Sequence, residues 1–265
     1  MLIFLIIDLD IYPFIAYIRY WLKQEDRFSL QSPFLADLYT GLITYLKTNL
    51  STEDPFSSQR KQLAEDHEKI QILDFGAGSK KLSSNFRKTS EIYKYSTSGR
   101  KFSTLYRYFC TQTPAIHVIE LGTCVGINSL YLASATKGNL YTFEGSPTLL
   151  EKAKAINPFS QTSYIGGNIA ETLPKHLNQD QTIDFALIDA THTYEATLSY
   201  FNSMLPFIND SSIIVVADIH WSKGMEKAWE EIIQNQTITL SLDFYECGVL
   251  FFRKGLTKSH YILAI

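Results

Sequence analysis

The sequence predicts an α/β protein: a doubly wound, mostly parallel, seven-stranded sheet ending in an antiparallel hairpin, preceded by a helical extension. Three observations predict it. From residue 116 onward, short apolar runs alternate with helical patterns, placing strands near 116–121, 140–144, 162–166, 183–188 and 212–217. Two further strands, near 238–244 and 248–253, are separated only by Tyr245–Cys247, which is too short for a helical crossover. The stretch His117–Glu144 reads as strand, glycine-bearing turn, helix and second strand in one piece.

The elements before that core are helical and irregular. Ser32–Pro33 starts a helix, with Ser as cap and Pro in the first turn. Phe34, Leu38, Leu42, Tyr45 and Leu46 then follow helical spacing. Residues 49–58 are turn-rich, and a polar helix is expected over roughly 59–69. Residues 72–81, ILDFGAGSKK, hold the glycine pair Gly76 and Gly78 after Asp74, but no apolar helix face or acid-terminated strand follows at a suitable distance. That segment is read as a lid or as a plain structural loop. Gly99–Phe109 is expected to be a helix presenting Phe102, Leu105, Tyr106 and Phe109 on one face. Trp229 is assigned to the core of a helix over Met225–Ile233. The expected division is a helical extension over 1–110 and a cofactor-binding core over 111–265.

The glycine turn carries the first chemical signal. Val118, Ile119 and Leu121 lead into Gly122, Thr123 and Gly126. Glycines there let the backbone turn sharply and lie close to a ligand. The helix that follows aims its free N–H groups back at that ligand. Glu144 lies 24 residues after Glu120, where an acid accepts hydrogen bonds from both hydroxyls of a ribose. In open α/β sheets, ligands gather at the carboxyl ends of the strands. The other polar groups expected there are Asn168, Asp189, His192, Asp218, His220 and Trp221.

Glu120–Gly122–Thr123–Gly126 and the acid Glu144 resemble motif I and the following acidic motif of class I S-adenosylmethionine-dependent methyltransferases. The form ExGTxxGxx is closest to the catechol-O-methyltransferase-like branch, and the likeness runs to about Arg253. The resemblance implies a Rossmann-like sheet and S-adenosylmethionine as cofactor, held by Glu120, Gly122, Thr123, Gly126, Glu144, Asn168 and Asp189. Asn168 reads equally well as an adenine contact or as a turn residue. Residues around Ser98 and Gly99 are implied near the methionine end. Asp189 and Asp218 match two acidic metal positions of the cation-dependent members, which implies Mg2+ or another divalent cation. His192 falls where those enzymes carry a basic residue used in deprotonation. Asp189, His192 and Asp218 are therefore the catalytic candidates. Ile219 stands where a third ligand, usually Asn, is found, and its side chain offers no donor.

Composition narrows the partners. The chain has 265 residues, 45% hydrophobic, with formal net charge −3, so no global basic field favours nucleic acid. Three widely spaced cysteines suggest neither a disulfide framework nor a zinc knuckle, and fit a cytoplasmic setting. In the apolar N-terminus, Asp8, Asp10, Pro13 and Arg19 interrupt any membrane-spanning run. A buried or homodimer-forming helix is expected there, with peripheral membrane contact through Phe14, Tyr17, Tyr20 and Trp21 as the lesser reading. The extension is expected to pack over the carboxyl ends of the fourth and fifth strands, with Phe28, Phe34 and Tyr39 facing core or pocket. The expected activity is methyl transfer to a small-molecule acceptor, at a hydroxyl oxygen. The rivals are a nicotinamide-dependent oxidoreductase, disfavoured by the missing GxGxxG spacing, and a non-catalytic cofactor-binding module.

Overall fold

The structure is a computed structural model that describes residues 12–30, 32–73, 86–178 and 181–265. Met1–Asp10 and the Asp74–Gly78 turn lie outside the described residues.

The N-terminal region begins with α1 (Tyr12–Lys23), α2 (Pro33–Ser51) and α3 (Ser57–Glu65). Strands β1 (Lys69–Gln71) and β2 (Phe86–Lys88) pair antiparallel, and α4 (Thr89–Ser96) and α5 (Arg100–Thr111) follow. The Ser32 hydroxyl accepts from the Leu35 N–H, as its capping position requires. Leu35, Leu38, Leu42 and Leu46 form the buried face of α2. The expected polar helix ends at Glu65, and Lys69, assigned to its last turn, instead opens β1.

The core continues as β3 (His117–Leu121), α6 (Ile127–Ala135), β4 (Asn139–Glu144), α7 (Pro147–Ile156), β5 (Thr162–Gly166), α8 (Ile169–His176), β6 (Phe185–Ile188), α9 (Tyr194–Met204), β7 (Ile213–Ala217) and α10 (Lys223–Gln234). It closes with β8 (Leu240–Asp243), β9 (Cys247–Phe251) and β10 (Ser259–Ile262). The sheet order is β10-β8-β9-β7-β6-β3-β4-β5. Strand β9 runs antiparallel to both β7 and β8, and the remaining pairs are parallel.

Among the described residues the sheet therefore has eight strands rather than seven. The additional strand, β10, pairs with β8 at the edge, and its residues are mostly half-exposed. A half-covered edge strand carries no continuous apolar run for a sequence reading to detect.

Alternation sorts the strand residues onto two faces. Val118, Phe185, Leu187, Ile213 and Val215 join α2 and α5 in one apolar cluster. Ile119, Leu121, Ala186, Ile188, Ile214 and Val216 join α8, α9 and α10 in another, with Trp229 at its centre. A third cluster joins Phe56, Leu63, Ile70, Ile72 and Ile92 to α6 and α7. The chain leaves β3 toward β4 and β5, then returns to place β6 on the other side of β3. That reversal opens a crevice at the carboxyl ends of β3 and β6, where open α/β sheets bind ligands.

Candidate active site

A cavity of about 410 Å3 fills this crevice. Its floor is the glycine turn. Gly122 and Gly126 hold φ values of 98° and 88°, and Cys124 between them holds 50°. A Cβ on Gly122 would stand 2.0 Å from the Asp189 carbonyl oxygen. Glycine is thus demanded there by the neighbouring strand end, in addition to any ligand. A Cβ on Gly126 would stand 2.8 Å from that of Ala153, so this second glycine lets α6 and α7 approach.

Glu144 ends β4 on the cavity wall. Its carboxylate accepts from the Cys124 N–H and the Ser146 N–H, both at 2.9 Å. The acid is thereby fixed across the turn. Gly122, Thr123 and Asn168 also line the cavity. Asn168 caps α8 as well, accepting from the Ala170 N–H. Both of its expected roles are compatible with one position.

Glu120 corrects an expectation. It does not line the cavity but is fully buried beneath the turn. The Ser129 and Thr142 hydroxyls both donate to its Oε2. Thr142 in turn shares a 2.6 Å hydrogen bond with Thr123. Burial pushes the Glu120 carboxyl up to about 8, against the pull of those two hydroxyls. Glu120 therefore sits beneath the turn, tied to α6 and β4, rather than on the cavity wall. Gly126 likewise shapes the turn without lining the cavity.

The second half of the site lies on β6 and β7. Asp189, His192 and Asp218 line the cavity together. The His192 Nε2 stands 3.7 Å from Asp189 Oδ1 and 3.7 Å from Asp218 Oδ2. One donor atom from each of the three lies within 4.8 Å of the others. Thr191, His192 and Asp218 all hold positive φ, at 66°, 48° and 57°. Such backbone costs of order 1–3 kcal/mol per residue and persists where the surroundings enforce it. Burial raises Asp189 to about 6, reinforced by Asp218 and opposed by His192 and a hydrogen bond from Asn128.

The set suits a divalent cation in part. Two carboxylates and an imidazole supply three donors. Ile219 supplies none, being fully buried against α10. His220 is turned away, with its Nε2 2.8 Å from Asp243 Oδ2 and its ring stacked on Tyr245. Trp221 lines the cavity as expected, whereas the adjoining Ser222 caps α10.

Asn128 is a site residue that sequence reasoning missed. Its amide donates to Ser98 Oγ at 2.9 Å and to Asp189 Oδ2 at 3.0 Å, while its carbonyl accepts from the Ser103 hydroxyl. The available signal was a polar pair, Asn128–Ser129, in the first turn of a mostly apolar helix.

The N-terminal region reaches the cavity, while Phe34 and Tyr39 pack on the core, one of the two places expected for them, and Phe28 does neither. Ile72, Leu73, Arg87, Ile92 and Tyr95–Gly99 form that wall. Phe28 is 80% exposed, Phe34 packs on Phe251, and the Tyr39 hydroxyl donates to the Ala264 carbonyl. None of these three lines the cavity, because α1 and α2 pack against the β8–β10 side and α5.

A profile for a methyltransferase domain matches residues 119–219, which span the glycine turn, Glu144, Asp189, His192 and Asp218. No curated protein sequence matches the chain. The fold is similar to that of the O-methyltransferase TomG from Streptomyces achromogenes, solved with S-adenosylmethionine. That likeness has 14% identity, 80% of this chain and 98% of that one covered, and a TM-score of 0.56. An O-methyltransferase from Bacillus cereus, in complex with S-adenosylhomocysteine, is similar at 13% identity, with 79% and 99% covered and a TM-score of 0.53. The Podospora anserina methyltransferase PaMTH1, bound to S-adenosylhomocysteine, gives 15%, 60% and 80%, and 0.51. Sheet order and profile agree on a methyltransferase domain over residues 119–219, in a fold shared with solved methyltransferases. The domain matched over residues 119–219 is a methyltransferase domain, which favours S-adenosylmethionine over a nicotinamide cofactor.

Proposed function

We propose that the enzyme methylates a hydroxyl oxygen of a small-molecule acceptor. The observation that carries this is His192, standing in the cavity between two carboxylates. A hydroxyl is a poor nucleophile until its proton is withdrawn, and an imidazole so flanked suits that task. The names of the similar solved structures, two of them O-methyltransferases, favour the same atom. The cavity volume lies within the range of small-ligand sites.

When bound, S-adenosylmethionine supplies an electrophilic methyl group on a sulfonium. Glu144 takes the ribose hydroxyls, and Gly122 with Thr123 leaves room for the amino-acid end. His192 accepts the acceptor's proton, and Asp189 with Asp218 stabilises the imidazolium that results. Alignment contributes most: holding two reactants in line is worth ~7–11 kcal/mol. The wall formed by Ile72, Leu73, Arg87, Ile92 and Tyr95–Gly99 keeps water from the transfer.

A second reading makes His192 a ligand, with Asp189 and Asp218, of a divalent cation that would bind the acceptor oxygen and lower its proton affinity. It is favoured by the closeness of the three donor atoms. The division into an extension over 1–110 and a core over 111–265 belongs to the same proposal, as does a cytoplasmic setting, which three free cysteines support.

Calorimetry with S-adenosylhomocysteine, then incubation of S-adenosylmethionine with a panel of phenols, alcohols, amines and thiols, tests the proposal. Mass spectrometry of the products should find oxygen methylated. Transfer confined to nitrogen or sulfur would refute the oxygen assignment, and absence of cofactor binding would refute the cofactor site.

A further inference from the structure

The sheet order sets the polar groups of the cavity in a row. Strands β6, β3, β4 and β5 are neighbours, and their carboxyl ends present Asp189, the glycine turn, Glu144 and Asn168 in that order. Three strand spacings separate the ends of the row, ~14 Å. That is room for an amino acid, a sugar and a base laid end to end. With the ribose at Glu144 and the transfer chemistry at Asp189 and His192, the β5 end is left to the adenine.

The core supplies part of that end. Leu149 of α7 and Ile169 of α8 line the cavity beside the Asn168 amide. An adenine ring needs more apolar surface than these two give, since both of its faces leave water.

The N-terminal region brings further apolar side chains to the same place. Beyond β1 the chain runs along the first turn of α7. The Thr148 hydroxyl donates to the Gln71 carbonyl, and the Leu73 N–H donates to the Ser146 hydroxyl at 3.5 Å. Ser146 is only two residues past Glu144. Ile72 packs in the cluster that holds Leu149, and Leu73 lines the cavity with half of its surface exposed. A half-exposed leucine on a cavity wall gains when apolar ligand surface covers it.

The segment is fastened without help from a ligand. Lys152 of α7 bridges Asp66 and Glu68, both at 2.6 Å, just ahead of β1. Ile70 and Ile72 are buried in the cluster shared with α6 and α7. Leu73 therefore stands in position before binding, and little ordering cost is added when a ligand arrives.

We propose that Leu73, backed by Ile72, is a cofactor-binding residue that walls the adenine end of S-adenosylmethionine. The cofactor site then reaches across the division between extension and core, and residues 111–265 alone do not complete it. This rests on S-adenosylmethionine as the cofactor and is independent of the acceptor and of the role of His192.

Calorimetry of the full chain with S-adenosylhomocysteine and with S-ribosylhomocysteine, which keeps the amino acid and the sugar but lacks the base, tests this. Leu73→Ala should weaken S-adenosylhomocysteine about tenfold through lost apolar contact and leave S-ribosylhomocysteine at its wild-type affinity. Leu73→Met, which keeps the contact, should bind both as the wild type does. Unchanged S-adenosylhomocysteine affinity in Leu73→Ala overturns the proposal. Equal losses for the two ligands overturn it as well, because Leu73 would then act through the fold. A wild type that binds neither ligand is a different failure: the cofactor reading falls, and the adenine wall with it.

Discussion

The amide of Asn128, at the start of α6, donates to Asp189 Oδ2 at 3.0 Å. Through the same nitrogen it holds Ser98, in the segment between α4 and α5. One side chain therefore ties the helix after the glycine turn, the wall above the cavity and the carboxylate at the end of β6. Asn128→Ala should remove a stabilising bond from a raised-pKa acid and leave the buried Ser103 hydroxyl without its acceptor. The expected loss is ~1–3 kcal/mol of stability, with weaker S-adenosylhomocysteine binding. Urea denaturation and calorimetry measure the two. Wild-type values in both would show that the bridge contributes nothing.

Glu144→Ala should weaken S-adenosylhomocysteine binding by the worth of one or two charge-assisted hydrogen bonds, roughly 1.5–3 kcal/mol each. Two backbone donors also lose their acceptor in this variant. Circular dichroism must therefore accompany the calorimetry. A folded variant with unchanged affinity would remove Glu144 from the ribose site.

Gly122→Ala places a methyl 2.0 Å from the Asp189 carbonyl, on backbone whose φ is 98°. Left-handed backbone alone costs an alanine ~1–2 kcal/mol, and the clash must be relieved by moving β3 against β6. Both stability and cofactor affinity should fall. A variant with wild-type melting temperature would show that the two strand ends separate easily.

Much of the architecture was legible because it is written locally. Strand β5 falls at residues 162–166 as expected, and Glu144 stands at the strand end that its spacing indicated. Glu120 was misread because an acid near a strand's carboxyl end resembles a ligand residue. Alternation along β3 sets it on the opposite face from Ile119 and Leu121, where two hydroxyls from α6 and β4 receive it. Strand β10 was not legible, since its register is set by β8 and its end is tied to α1 through Tyr20 and Leu263. Which residues of the first 110 reach the cavity was equally hidden. That depends on Ile72 and Ile92 packing against α6 and α7, a contact between distant parts of the chain.

Glu120 gives a pH-dependent prediction. Its carboxyl is raised from an ordinary 4.5 to about 8 by burial. Between those values the folded chain binds a proton that the unfolded chain has lost. Its contribution is fully present below about 4.5 and is lost as pH rises through about 8, so stability should fall with increasing pH across that window. Glu120→Gln, which mimics the neutral acid, should remove this slope. Melting temperatures of both proteins from pH 5 to pH 9 check it; parallel curves would mean that Glu120 is ionised throughout.

The final prediction separates the two roles open to His192. A site of two carboxylates and one imidazole favours a transition ion over Mg2+, which prefers an all-oxygen shell. With Ile219 in the place of a third oxygen donor, Asp189 and Asp218 alone would hold Mg2+ weakly. If His192 is a ligand, Mn2+ should bind more tightly than Mg2+ in calorimetry. His192→Ala should abolish the difference, and chelation should suppress methyl transfer. If His192 is instead the base, transfer proceeds in excess chelator. His192→Gln then lowers kcat by roughly 10²–10⁴-fold, the usual worth of a general base, while S-adenosylhomocysteine affinity stays at the wild-type value. Full activity in chelator would end the cation reading; full activity in His192→Gln would end the base reading.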